Sequence, residues 1–221
     1  MIHSWFEQIG WLADGLPSET ELRALTSRLS ETRLDPGQLE SYLADYHAAL
    51  ARPSVAAVLD PRYYANAASV GWPATVNSVA QAAIATKGEA TATGGATGGA
   101  TGGATVGATV GATGGATGGA KTLTVHREWR FAVRSGDELV AGAVDRLVVL
   151  RRDGQPLACD VVDFKTDAIP AGNLSALEAK VEYYAPQLEA YRDAVARSFR
   201  LEPANVTARL VFLSAGEVRR V

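Results

Sequence analysis

A chain of 221 residues with 47 % apolar and 20 % charged side chains has room for one domain with a real core, or for one domain plus an insertion. A formal net charge of −3 excludes the overall basic character by which dedicated nucleic-acid binders gather phosphates, so delivery of DNA would need further help. The single cysteine, Cys159, excludes a disulfide framework and any four-cysteine cluster, suits a reducing compartment, and is expected to pack as a small apolar side chain.

From Met1 to Asp14, the residues Ile2, Trp5, Phe6, Ile9 and Leu12 recur at helical spacing and predict a core-facing helix. Glu7 and Asp14 interrupt that apolar pattern and no basic residues precede it, so the start does not read as a secretion signal. No run approaches the roughly 18 apolar residues of a membrane span, and a cytoplasmic protein with no membrane partner is expected. Ser18 is placed to cap a second helix running through Leu29, and Asp35-Pro36 to open a third that runs to about Ala51. Pro53, Pro61 and Pro73 interrupt the chain beyond that helix, and residues 1–91 read as an N-terminal helical part of the domain. Residues 92–120 repeat Ala-Thr-Gly-Gly, with Val106 and Val110 the only large apolar side chains. Such a stretch cannot bury enough surface to offset the entropy of ordering it, which predicts a disordered insertion.

After the repeat the pattern changes to strands: KTLTVHREWRFAVR, ELVAGAVDRLVVLRR and LACDVVDFKT, separated by the turn signals Ser135-Gly136-Asp137 and Asp153-Gly154. A three-stranded meander is expected, then a helix from about Ser175 to Phe199, with Pro186 marking its first turn or a kink. A last strand spans Ala208 to Ser214. The order helix, three strands, helix, strand predicts an α/β core over residues 121–221 with a mixed sheet flanked by helices. The string GATGGAKT, Gly115 to Thr122, nearly spells a phosphate-binding loop. It lacks the glycine before Lys121, a preceding strand and a following helix, so it is not read as a nucleotide site.

Chemistry concentrates in the meander. Asp145 lies within the second strand, and Asp163 and Lys165 lie at the end of the third, where alternation points both to one face with Phe164 on the other. Asp145 joins them if the two strands are neighbours. Charge is disfavoured inside apolar strands, and two carboxylates brought close together repel, so the arrangement calls for a cation between them. Hard oxygen ligands point to Mg2+ or Mn2+. A lysine beside such an ion can orient or help deprotonate water and neutralise charge on a phosphate. Asp160 and Asp167 read as surface residues, and Glu128 as structural, the alternative being an aid to the metal site.

The blocks REWRF, GAVDRL, VVDFKTD and YYAPQLEAYRDAV, in this order, resemble the nuclease domain at the C-terminus of RecB/AddA-type helicase-nucleases, within the PD-(D/E)XK superfamily. The resemblance covers about residues 121 to 200 and, beyond them, the first helix. It implies a restriction-endonuclease-like core in which Asp145 and Asp163 are metal ligands, Lys165 is the catalytic lysine and the Phe164 carbonyl is a further ligand. Gln187 and Tyr191 match the family's Q-x-x-x-Y element, where they would contact the DNA strand or support the lysine. His3, in IHSWFE, matches the family's histidine on the first helix, a further metal ligand. The resemblance further implies a Mg2+-dependent deoxyribonuclease, an exonuclease, acting in DNA end processing and recombinational repair. The family's usual UvrD-like helicase would act in trans, the chain being a detached or truncated nuclease domain. The iron-sulfur branch needs four cysteines and is excluded. The alternative is a catalytically inactive remnant that binds DNA or a helicase.

Overall fold

The computed structural model describes residues 1–29, 35–85, 120–135, 138–170 and 172–221. The repeat expected to be an insertion lies outside the described residues save for Ala120, as do Gly136 and Asp137 of the first expected turn.

The meander is present. Strands β1 (Lys121–Ser135), β2 (Glu138–Arg152) and β3 (Gln155–Lys165) pair antiparallel in sequence order. Asp153 and Gly154, between β2 and β3, both take positive φ, 52° and 77°, as a two-residue hairpin turn matched to the strand twist requires. Helix α7 of the molecule (Leu174–Phe199) then crosses over the sheet and returns the chain as β4 (Val206–Phe212), parallel to β3. A fifth strand, β5 (Glu217–Arg220), closes the order β1-β2-β3-β4-β5. Glu-Val-Arg-Arg carries no alternation of apolar residues, which is why sequence reasoning passes over it.

Among the described residues six α-helices precede the sheet: α1 (Ile2–Phe6), α2 (Glu19–Leu29), α3 (Pro36–Leu50), α4 (Pro53–Val58), α5 (Ala67–Val70) and α6 (Ala74–Ala85). Ser18 caps α2 as expected: its hydroxyl accepts from the Glu21 amide while its own amide donates to Glu21 Oε2 at 2.7 Å. Pro53 and Pro61 open new helical turns, where their missing N–H costs nothing. Pro186 lies inside α7, well past its first turn.

Both faces of the sheet are covered, and burying each large apolar side chain contributes about 1.5–3 kcal/mol. On one face Leu147, Val149, Cys159, Val161, Leu210 and Phe212 pack under Leu177, Leu188 and Val195 of α7. On the other, Val162, Phe164 and Val211 pack against Trp5, Phe6 and Tyr46, while Val148, Leu150 and Ala158 meet Trp11, Tyr64, Trp72 and α6. Two-sided burial explains why β3 and β4 read as nearly continuous apolar runs. This mixed α/β architecture is that of the restriction-endonuclease-like core.

Two expectations are corrected. The first helix does not run to Asp14: α1 ends at Phe6 and a short 3-10 turn occupies Leu12–Asp14. The carbonyls of Gln8, Ile9 and Gly10, which a longer helix would pair with its own amides, accept instead from Arg127 and Arg146. Asp160 is not at the surface but fully buried, accepting from Arg209 Nη2 at 2.7 Å, Thr207 Oγ1 at 2.6 Å and the Tyr64 hydroxyl at 3.2 Å. Its even position on β3 places it with Val162 and Phe164, on the face that the N-terminal helices cover. Asp167 is half-buried and paired with Lys180 at 2.5 Å.

Candidate active site

The β2–β3 ladder runs as far as Arg146 and Val162, and there β3 parts from β2. At the parting, the Asp145 carboxylate does what a backbone carbonyl would otherwise do: its Oδ2 accepts the Phe164 amide at 2.8 Å. Opposite Asp145, Glu128 has no Cα partner and takes φ 46°, an uncommon conformation for a residue with a Cβ. Side-chain alternation slips at this kink. Leu123 and Val125 of β1 face the N-terminal helices, whereas Phe131, at the same parity, faces α7. Asp145 is thereby turned into the seam between the two layers.

Helix α1 meets it there. The same Asp145 Oδ2 lies 2.9 Å from His3 Nε2. His3 Nδ1 in turn lies 3.2 Å from Glu7 Oε1, one helical turn along. Between them Trp5 and Phe6 are fully buried in the core, which fixes the side of α1 that His3 and Glu7 present. One ligand atom from each of His3, Glu7 and Asp145 falls within 4.8 Å of the others.

Asp163 and Lys165 share the α7 side of β3, as alternation requires. Lys165 Nζ lies 2.7 Å from Asp163 Oδ2, 3.5 Å from Gln187 Oε1 and 3.9 Å from the centre of the Tyr184 ring. Gln187 donates from Nε2 to the Tyr191 hydroxyl at 2.7 Å, so residues four apart on α7 form one support. Phe164 contributes its amide to Asp145 and its ring to the core below.

The electrostatics are those of a site with too much negative charge. Burial pushes the Asp163 carboxyl up to about 6, with the Asp145 charge adding to it and Lys165 and His3 opposing it. Burial pushes Glu7 up to about 7, against the pull of His3. The hydrogen bond with Asp145 raises His3, outweighing the opposite effect of its own burial. Glu7, Asp145 and Asp163 are each at most 8 % exposed, and carboxylate oxygens with one imidazole nitrogen are a donor set suited to a divalent cation. Cys159 belongs to the core under α7.

The structure thus brings the residues together in two adjoining groups: His3, Glu7 and Asp145 in the first, and Asp163, Lys165, Gln187, Tyr191 and Tyr184 in the second. The Asp145 charge is felt at Asp163, although Asp163 is not among the three residues whose ligand atoms cluster within 4.8 Å. Sequence reasoning passes over two members. Glu7 enters it only as a charge unsuited to a secretion signal, although an acid four residues after His3, on the apolar side of a helix, is a readable pattern. Tyr184, three residues before Gln187, covers the lysine with its ring.

A family model described as the PD-(D/E)XK nuclease superfamily matches residues 1–221. No curated protein and no solved structure matches the chain.

Proposed function

The chain belongs to the PD-(D/E)XK nuclease superfamily, and from that premise we propose that it is a Mg2+- or Mn2+-dependent deoxyribonuclease centred on Asp145, Asp163 and Lys165. The observation that carries this reading is the seam itself, where Asp145 Oδ2 meets His3 Nε2 at 2.9 Å and Asp163 meets Lys165 at 2.7 Å. Asp145, Asp163, His3 and Glu7, with the Phe164 carbonyl, would hold the cation. When bound, such an ion polarises a phosphodiester and makes water a nucleophile near neutral pH. The side chains supply the rest. Lys165, held by Asp163 and by Gln187, orients the attacking water and offsets charge that develops on the phosphate. Gln187 keeps its oxygen toward the lysine because its amide nitrogen is engaged with Tyr191. The face of Tyr184 covers the ammonium and limits its hydration.

Because His3 and Glu7 come from the N-terminal helical part, residues 1–91 are read as belonging to the nuclease domain together with the core over 121–221, with 92–120 inserted between them. Exonuclease action, a place in DNA end processing and recombinational repair, and a UvrD-like helicase acting in trans rest on the order of the sequence motifs. A cytoplasmic site of action accords with a single, buried cysteine; among the described residues no helix is long and apolar enough to cross a membrane.

Incubation of the purified chain with linear single- and double-stranded DNA tests the reading. Degradation is expected with Mg2+ or Mn2+, is stopped by a chelator, and falls by about a thousandfold or more in Lys165→Ala and Asp163→Asn. Activity that survives either substitution, or that needs no divalent ion, overturns it.

A further inference from the structure

Helix α1 has five residues, too few to hold itself in place by its own hydrogen bonds, yet it delivers His3 and Glu7 to the seam. Three carbonyls just beyond it, of Gln8, Ile9 and Gly10, are gripped from the sheet. Arg146 Nη1 donates to Ile9 at 2.8 Å and to Gly10 at 2.6 Å, and Arg127 Nη1 donates to Gln8 at 2.5 Å. Arg127 and Arg146 are register partners on β1 and β2, so two like charges stand side by side, an arrangement that is unfavourable in itself.

Arg146 is 1 % exposed, and among the described residues no carboxylate lies within salt-bridge distance of it. Its guanidinium is stacked 4.8 Å from the centre of the Trp11 ring. Filling this volume alone calls for an apolar side chain, since burying a cation without a paired anion is costly. What an apolar side chain cannot do is donate to two successive carbonyls from one planar head. Arg146 also comes directly after Asp145, so a single peptide unit sets the distance between the carboxylate in the seam and the grip on the segment that brings the histidine.

We propose that Arg146, with Arg127 beside it, is a positioning residue that seats the His3–Glu7 segment on the sheet and so completes the donor set for the cation. This role rests on the reading of the seam as a metal site.

Titration calorimetry with Mn2+, together with the electron paramagnetic resonance spectrum of the bound ion, tests the clamp without recourse to turnover. Arg146→Met is expected to weaken Mn2+ binding about tenfold or more, Arg146→Lys to recover part of the loss, and Arg127→Met to lose a smaller factor. Val79→Ala, on the buried face of α6, lowers the melting temperature and leaves Mn2+ affinity unchanged, which separates positioning from general loosening. Arg146→Met that folds and binds Mn2+ as tightly as the wild type overturns the clamp and leaves the metal site standing. Should Arg146→Met not fold, wild-type affinity in both Arg146→Lys and the half-buried Arg127→Met overturns it equally. Wild-type protein that binds no Mn2+, or His3→Ala that binds it undiminished, removes the metal site and the clamp with it.

Discussion

Lys165 is held by three neighbours that differ in what their loss should cost. Asp163 sits at 2.7 Å and is itself a proposed ligand, so its replacement removes both functions at once. Gln187 sits at 3.5 Å, a long contact, and Gln187→Ala is expected to lower turnover about tenfold, with Mn2+ affinity retained. Tyr184→Leu removes the ring 3.9 Å from the ammonium and should cost a factor of about three to ten, an interaction of roughly 1 kcal/mol. Single-turnover rates for the pair rank the two contacts; a larger effect from Tyr184→Leu would reverse the assignment of Gln187 as the main support. At this scale the sequence was informative in that charge interrupts apolar strands at Asp145 and Asp163, both of which are buried in the fold. It misled at Asp160, which was read as a surface residue although it too interrupts an apolar strand, and which is buried and satisfied by Arg209 and Thr207 in a layer that no local pattern reveals. Glu7 escaped notice because its partner, Asp145, is remote in the chain and the link between them, His3, has meaning only once α1 is docked.

Among the elements, β3 owes its place to pairs on both sides, and the Asp160–Arg209 bridge ties it to β4 below the site. Removing one partner leaves the other buried without compensation. Asp160→Ala is therefore expected to destabilise the protein by about 3–5 kcal/mol in urea denaturation, whereas replacing both residues by apolar ones costs less than the sum of the single changes. On β2, a Cβ added to Gly142 would fall 2.9 Å from Phe131 Cζ and 3.0 Å from Tyr191 Cε1. Gly142→Ala should push Tyr191 away from Gln187 and lower turnover severalfold, at a stability cost of about 1–3 kcal/mol. Retained turnover in that variant would mean that the Tyr191 hydroxyl is dispensable. Strand periodicity and turn residues made the meander and α7 legible. The length of α1 was not, because arginines of β1 and β2 settle where its carbonyls go.

For the molecule as a whole, the acids in the seam tie stability to pH. Asp163 and Glu7 have folded-state values of about 6 and about 7, above their ordinary values of 3.8 and 4.5. The folded chain therefore holds protons that the unfolded chain has released, and stability falls as pH rises through the window from about 4 to 7. His3, raised in the fold, works in the same direction, since the stability it lends is lost as it deprotonates. The metal-free protein is expected to melt several degrees lower at pH 8 than at pH 5, and saturating Mn2+ should recover much of that difference. A melting temperature that rises with pH in the metal-free protein would contradict the buried-acid account. Only tertiary assembly brings these acids together: the site draws on the first turn of the chain, the middle of the sheet and α7, and only the last two share a readable stretch of sequence.

Of the four tryptophans, Trp5 stands in α1 between His3 and Glu7, Trp11 lies beneath the Arg146 guanidinium, and Trp72 is buried nearby, leaving only Trp129 on the α7 side. The intrinsic fluorescence of the unlabelled protein is thus dominated by indoles on the layer that carries the histidine. Unseating that layer would move them into water and shift the emission to the red while α7 stays docked, giving an optical reading of whether the N-terminal turn is in place, in real time and before any substrate is added.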